Sequence, residues 1–297
     1  MNPVIALIFV AACASSPAPT ANTATPAIPA PTAFRVEVSG HGPPILLVPG
    51  LASSGETWTG TVKHLGERYT CHVVTLAGFA GVPPIREPLV ATVVTELAGY
   101  IDSHHLARPV VIGHSLGGEV ALKLAAEHPD RVGPLVIVDS LPFLGAIMGA
   151  ASVDEAKPMV EQLRAVFGAQ TDAQYAAYVK AGTSTRSMVT ADADHARIVG
   201  WGVASDRTTV GNAMVELLAT DLRPQLAKIQ SPVLVIGTWV GWDRPGAPAD
   251  QAAVEATFRE QYKTLPKLEF VMAATRHFVM LDDLPWFLGQ VDRFLAR

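Results

Sequence analysis

Residues 110–118 restrict the possible folds of this chain more than any other stretch, and they read Val-Val-Ile-Gly-His-Ser-Leu-Gly-Gly. The β-branched run predicts a buried strand and the alanine-rich residues that follow predict a helix, so Ser115 stands in a sharp turn between them. Such a turn is strained and needs small neighbours, which Gly113 and Gly117 provide. A Gly-x-Ser-x-Gly match can arise by chance in a chain with 24 glycines. The flanking strand and helix favour Ser115 as a nucleophile.

Short apolar runs alternate with helical patterns along most of the chain. This alternation predicts βαβ units and a parallel sheet, whose strands end at one common edge where ligands bind. The apolar runs indicate central strands that are covered on both faces. Residues 34–38 instead alternate apolar and polar side chains, which is typical of a half-buried edge strand. The further predicted strands cover residues 45–48, 71–76, 110–112, 134–138, 233–236 and 268–272.

Residues 141–224 interrupt this alternation. They show helical patterns rich in Ala, Met and Tyr and contain no convincing buried strand. We therefore predict a helical cap over the strand ends, inserted into an α/β core of residues 34–140 and 225–297. The apolar residues of the cap either line a substrate pocket or form the cap's own interior. The residues concerned are Phe143, Leu144, Ile147, Met148 and Met159.

The N-terminal segment indicates export. Residues 3–10 are apolar but too few to span a bilayer, which suits the central region of a secretory signal. Residues 10–13, Val-Ala-Ala-Cys, resemble a bacterial lipobox. We therefore expect a signal peptide over residues 1–12, a lipidated Cys13 and a Pro/Ala/Thr-rich tether over residues 13–33. A plain cleavable signal is the alternative. Either way the protein would face the periplasm or the exterior. In the lipoprotein case the lipid anchor would be its one membrane contact, and in the other case it would be secreted or periplasmic.

Composition and motifs exclude several classes of function. The net charge is −5, charged residues make up 16%, and no basic run favours a nucleic-acid partner. The chain has two cysteines, Cys13 and Cys71, so Cys71 has no partner for a disulfide within the predicted mature domain. No cysteines or histidines occur at a spacing typical of metal ligands. A dinucleotide fingerprint and a P-loop lysine are both missing. We therefore expect neither a cofactor nor a metal, and the oligomeric state stays open.

From residue 34 to residue 297 the chain resembles the α/β-hydrolase superfamily. The resemblance is carried by the Gly-His-Ser-Leu-Gly sequence at residues 113–117, which is similar to the nucleophile elbow, and by residues 275–283, which are similar to the superfamily's histidine loop. A serine is a weak nucleophile at its free pKa and needs a base that titrates near neutrality. The resemblance implies that Ser115 is the nucleophile and His277 is its base.

The acid that orients the histidine has two candidates. In most of the superfamily it follows the strand at residues 233–236, but this chain has Val240 where the Asp is expected, and Asp243 comes three residues later. Asp139 directly follows the strand beside the elbow strand. A minority of relatives, including pancreatic-type lipases, use that position. We favour Asp139 over Asp243 because it stands directly at a strand end.

An oxyanion hole needs two backbone N–H groups that point at the developing charge. The residue after the nucleophile, Leu116, would supply one. The other would come from Leu51, in the loop after the strand at residues 45–48. Relatives often have His-Gly in this loop, whereas this chain has Pro49 and Gly50, which also read as an ordinary turn.

These residues predict a serine hydrolase that cleaves small or moderately apolar carboxylic esters through an acyl-enzyme. The fold also hosts lactonases, amidases and cofactor-free haloperoxidases, so the fold does not choose among these reactions. Acyl transfer to an alcohol is a further alternative. A non-catalytic binding lipoprotein with the same fold is the alternative from a different class, although the Ser115 and His277 pair argues against it.

Overall fold

The computed structural model describes residues 31–86, 88–241 and 250–297. The predicted signal peptide, Cys13 and Asp243 lie outside the described residues, as does the tether up to residue 30. Within the described chain, seven strands form one sheet. The strands are β1 Phe34–Gly40, β2 Pro44–Val48, β3 Thr70–Leu76, β4 Val110–His114, β5 Leu135–Val138, β6 Val233–Thr238 and β7 Leu268–Ala273.

The strand order across the sheet is β1-β3-β2-β4-β5-β6-β7. In this sheet β1 alone runs antiparallel to its neighbour, with Phe34 opposite Leu76 and Gly40 opposite Thr70. All other pairs are parallel, and β2, β4, β5 and β6 are buried almost throughout. The predicted α/β fold with a mostly parallel sheet is confirmed, and β1 is an edge strand as expected.

Alternating side chains of the central strands enter two separate cores, one on each face of the sheet. The helices of this α/β framework are α1 Thr59–Leu65, α2 Leu89–Ser103, α3 Leu116–Glu127, α8 Gln251–Tyr262, α9 Val279–Asp282 and α10 Leu284–Leu295. On β2, Leu46 and Val48 join the core that packs against α2 and α3, while Ile45 and Leu47 join the core that packs against α10.

The segment between β5 and β6 is helical and contains no strand, all of it being described in the structure. Two short 3-10 helices, at Leu144–Met148 and Arg223–Lys228, lie at its ends. Its α-helices are α4 Val153–Ala169, α5 Asp172–Ala181, α6 Asp192–Val203 and α7 Arg207–Ala219. Among the described helices, none is long and apolar enough to cross a membrane. The limits of a separate cap at residues 141 and 224 stay a prediction.

Candidate active site

Ser115 occupies the turn between β4 and α3. Its backbone has φ 52° and ψ −118°, a conformation that costs energy for any residue with a Cβ. The turn is fixed by the Ser115 N–H, which donates to the carbonyl of Val138 at 2.9 Å. The carbonyl of Ser115 accepts from the N–H of Gly118 at 2.8 Å. The sequence therefore forms the strained strand-to-helix turn predicted for it, at the carboxyl edge of the sheet.

Three glycines allow this turn to pack closely. A Cβ on Gly113 would stand 2.2 Å from the carbonyl oxygen of Gly117. A Cβ on Gly117 would stand 2.2 Å from the carbonyl oxygen of Val48, and one on Gly118 would stand 2.5 Å from the Cβ of Ser140. None of these spaces can hold a side chain, because the nearby atoms are mostly backbone atoms that cannot move aside.

Asp139 follows β5 directly, also at a positive φ of 44°. Its buried carboxylate lies 2.5 Å from Nδ1 of His277. The same carboxylate accepts the N–H of Thr238 at 2.9 Å and the hydroxyl of Thr238 at 2.8 Å. Asp139 is thus held by the end of the neighbouring strand β6 while it contacts the imidazole. Thr238 was not predicted from the sequence, although it ends the strand after which relatives place their acid.

His277 lies in the loop between β7 and α9, with about a quarter of its side chain exposed. Asp282 holds this loop: its carboxylate accepts the N–H of Arg276 at 3.1 Å and the N–H of Thr190 at 2.7 Å. The N–H of Phe278 donates to the carbonyl of Met188 at 3.1 Å. The loop is therefore fastened to the segment between α5 and α6 on both sides of His277.

His114, the residue before Ser115, is completely buried against this loop. Its Nε2 lies 3.0 Å from the carbonyl oxygen of His277, and its ring centroid lies 4.4 Å from that of His277 and 4.6 Å from that of Phe278. Burial lowers the pKa of His114 well below its usual value, and the neighbouring His277 ring lowers it further. The sequence indicated only that His114 belongs to the elbow; its contact with the histidine loop was missed.

The loop after β2 packs directly on the elbow. A Cβ on Gly50 would stand 3.1 Å from the Cβ of Ser115 and 3.1 Å from Nδ1 of His114. Leu51 therefore follows a residue that touches the elbow, and Leu116 is the first residue of α3. Their roles as oxyanion donors stay predictions.

A cavity of about 600 Å³ joins these residues to the helical segment. Ser115, Asp139 and His277 all line it. Four of the five cap residues predicted from the sequence line it as well, namely Leu144, Ile147, Met148 and Met159.

Phe143, the fifth of these residues, does not line the cavity and fits the other alternative left open by the sequence. Its side chain is fully buried with Ala150 and Ala156, and the guanidinium of Arg223 lies 4.6 Å from its ring centroid. Phe143 therefore belongs to the interior of the helical segment.

Among the described residues, no group of three or more His, Cys, Asp or Glu side chains could hold a metal ion.

The sequence model of the Alpha/beta hydrolase family matches residues 45–287. The chain belongs to this family. It is 26% identical over 210 residues to a pimeloyl-acyl-carrier-protein methyl ester esterase of Nitrosomonas europaea, covering 68% of this chain and 79% of the relative. A protein of the same description from Aeromonas hydrophila is 38% identical over 113 residues, but this match spans 36% of the chain and 41% of the relative.

The chain is also similar to a solved structure, the enol-lactonase of Burkholderia xenovorans LB400. The TM-score is 0.71 at 21% identity, and the match covers 89% of this chain and 96% of that one. At this identity the likeness shows the fold alone. Together, the family and its esterase relatives support a hydrolase.

Proposed function

We propose that the protein is a serine hydrolase that cleaves carboxylic esters through an acyl-enzyme at Ser115. One observation supports this most strongly: Ser115 and the hydrogen-bonded pair of His277 and Asp139 line the same cavity. These residues come from the ends of β4, β5 and β7, which is where a parallel sheet gathers its functional side chains. The esterase relatives point to the same chemistry.

In the proposed mechanism, Ser115 attacks the ester carbonyl while His277 takes its proton. Asp139 accepts the hydrogen bond of Nδ1, so the lone pair of the neutral imidazole lies on Nε2, the nitrogen that serves as base. The same nitrogen then returns the proton to the leaving alcohol. Water subsequently attacks the acyl-enzyme with His277 again as base, which regenerates Ser115.

The tetrahedral intermediates carry a negative oxygen that must be stabilised. We assign this role to the backbone N–H groups of Leu51 and Leu116. Leu116 begins α3, and the amino end of a helix favours negative charge. The packing of Gly50 against Ser115 supports the placement of Leu51 beside the nucleophile.

Ester turnover by purified protein tests this function. Wild-type protein should hydrolyse p-nitrophenyl butyrate, and Ser115→Ala or His277→Ala should each lower kcat by about 10⁴-fold or more. A wild type without esterase activity, or variants as active as wild type, would contradict the proposal. Product analysis with added methanol separates hydrolysis, which yields the free acid, from acyl transfer, which yields the methyl ester.

We also propose that the protein is an exported lipoprotein attached through Cys13. The lipobox-like residues 10–13 and the tether composition of the next residues support this. In a bacterial host, Cys13→Ser should move the protein from the membrane fraction to the soluble fraction. An unchanged membrane fraction would refute the lipid anchor and leave the catalytic proposal untouched.

A further inference from the structure

One face of α4 is turned toward the active-site cavity. Its members recur at helical spacing, three or four residues apart, and all of them line the cavity. They are Met159, Gln162, Leu163, Val166 and Phe167. In α4 only Ala156 is fully buried. The side chains of this face therefore stay partly accessible from the cavity, although Phe167 also packs against the core.

Helix α7, which packs directly on α4, contributes Met214, Leu217 and Leu218 to the lining of the same cavity. The two helices are packed closely where Gly211 faces Phe167. A Cβ on Gly211 would stand 2.7 Å from the ring of Phe167, so only glycine permits this approach. The part of the cavity that α4 and α7 line is a largely apolar slot, and Ser115 and His277 line the same cavity.

The chemistry of the slot restricts what can enter it. Four of the seven methionines of the chain, residues 148, 159, 188 and 214, line the cavity, and methionine side chains adapt to ligands of differing shape. Among the described lining residues there is no lysine or arginine. A carboxylate buried there would lose its water without gaining a cation, which is strongly unfavourable.

We propose that the α4 face is the acyl-binding wall, and that it selects uncharged, flexible, medium-length acyl groups over short ones and over acyl groups that end in a carboxylate. This proposal rests on the proposed esterase function. Each methylene buried in the slot should raise kcat/KM by up to about fourfold until the slot is full. Because the lining is adaptable, the optimum should be broad.

A series of p-nitrophenyl esters from acetate to laurate tests the length preference, and the p-nitrophenyl monoester of suberic acid tests the charge preference. The octanoate should exceed the acetate by at least about tenfold in kcat/KM, and should exceed the suberate monoester, which has the same number of carbons, by at least about tenfold. Equal values for octanoate and suberate would overturn the proposal.

Substitution at two adjacent positions of α4 locates the effect. Leu163→Trp should fill the slot and shift the preference to shorter acyl groups, so that the ratio of kcat/KM for octanoate to kcat/KM for acetate falls at least about tenfold. Arg164→Trp is the matched control, because Arg164 is exposed and does not line the cavity. An unchanged length profile in Leu163→Trp would overturn the proposal. If a fluorophosphonate nevertheless labels Ser115, the esterase proposal survives on its own.

A separate observation concerns His114. A carbonyl oxygen can only accept, so the neutral His114 ring must donate its Nε2 proton to the carbonyl of His277, which leaves Nδ1 as an acceptor. That Nδ1 is buried and has no hydrogen-bond partner among the described residues. A buried acceptor without a partner destabilises the fold. The hydrogen bond from Nε2 to the carbonyl of His277 is therefore present although it leaves Nδ1 unpaired and lowers stability.

We infer that His114 is a positioning residue for the catalytic base. Its hydrogen bond fixes the backbone of His277, and its ring fixes one side of the imidazole through the 4.4 Å contact. Asp139 fixes the same imidazole at Nδ1. The base is thereby held at two points, the Nδ1 atom and the main chain, which limits its movement within the cavity that Ser115 also lines. This inference also rests on the proposed esterase function.

Two substitutions separate positioning from packing. His114→Leu should lower kcat at least about tenfold with KM within about twofold, because positioning of the base acts in the transition state. His114→Gln should recover most of the loss, because its amide nitrogen can donate to the same carbonyl. The rate of fluorophosphonate labelling at Ser115 should follow the same order. Thermal unfolding checks that both variants fold.

A folded His114→Leu with wild-type kcat would overturn the positioning role, as would a His114→Gln variant no more active than His114→Leu. If both variants unfold, His114→Asn is measured instead. Its shorter amide should not reach the carbonyl, so kcat should again fall at least about tenfold. A wild-type kcat would overturn the positioning role. In every case, fluorophosphonate labelling of the wild type that is lost in Ser115→Ala would show that the esterase proposal stands independently of the role of His114.

Discussion

Nδ1 of His277 and the carboxylate of Asp139 lie 2.5 Å apart, although 138 residues separate them along the chain. The parallel sheet makes this contact possible, because β5 and β7 end at the same edge with β6 between them. Thr238 at the end of β6 fills the gap with two hydrogen bonds to Asp139. The three strand ends thus form one connected unit.

Substitution of Asp139 by Asn should lower kcat by about 10⁴-fold, because the amide can donate to Nδ1 and so stabilises the wrong imidazole tautomer. Steady-state kinetics with p-nitrophenyl butyrate measure the effect. Asp243→Asn is the comparison and should stay near wild type. The reverse pattern would show that Asp243 is the acid.

Removal of the Thr238 hydroxyl should have a smaller effect. Thr238→Val keeps the N–H bond to Asp139 and the side-chain volume but loses the 2.8 Å hydroxyl bond. We expect kcat to fall about tenfold, as for one hydrogen bond to a charged group. Thr238→Ser keeps the hydroxyl and should retain most activity. Equal activity in the Val and Ser variants would contradict a role for this bond.

Most of the framework could be predicted because buried parallel strands and the elbow have strong local signals. The run Val110-Val111-Ile112 before Gly113 is apolar and β-branched, so both strand and turn are locally encoded. The preference for Asp139 rested on its place at a strand end, and the structure brings it to His277. Its role in catalysis stays a prediction.

The missed features depend on tertiary contacts that no local pattern encodes. Thr238 contacts Asp139 only because β5 and β6 are neighbours in the folded sheet. His114 contacts the carbonyl oxygen of His277, which is 163 residues away in the chain. Phe143 is apolar like the residues that line the cavity, but its extended backbone before the 3-10 helix (φ −143°, ψ 100°) places the side chain in the interior with Ala156. Side-chain direction within irregular segments has no periodic signal.

Substitution by alanine should lower the stability of the fold at Gly113 in the elbow and raise it at Gly99 in a helix. Gly113→Ala places a Cβ 2.2 Å from a backbone oxygen and should destabilise the protein by more than about 3 kcal/mol. Gly99 lies in α2, where an added Cβ meets nothing within 4 Å. Gly99→Ala should therefore stabilise the fold by about 0.5–1 kcal/mol. Denaturant unfolding measures both, and a tolerated Gly113→Ala would contradict the packing of the elbow.

Glu119 should make stability depend on pH. It is buried in α3, and burial together with the nearby carboxylate of Glu216 raises its pKa well above the usual value. The unfolded chain loses this proton above about pH 4.3, whereas the folded protein keeps it. Stability is therefore highest below the unfolded pKa and falls as pH rises toward the folded pKa.

Glu119→Gln removes this titration while keeping the side-chain shape. The variant should gain thermal stability over wild type, with a larger gain at about pH 8 than at about pH 5. Melting temperatures at the two pH values measure the difference. Glu127→Gln, a partly exposed position on the same helix, is the control. An identical gain at both pH values would show that Glu119 titrates normally.

Covalent labelling with a fluorophosphonate, followed by peptide mass spectrometry, tests the central claim most directly. The account predicts one adduct on the peptide that contains Ser115, complete loss of labelling in Ser115→Ala, and strongly slowed labelling in His277→Ala. A wild-type protein that remains unlabelled, or an adduct that persists in Ser115→Ala, would contradict a nucleophilic Ser115 and with it the proposed serine hydrolase.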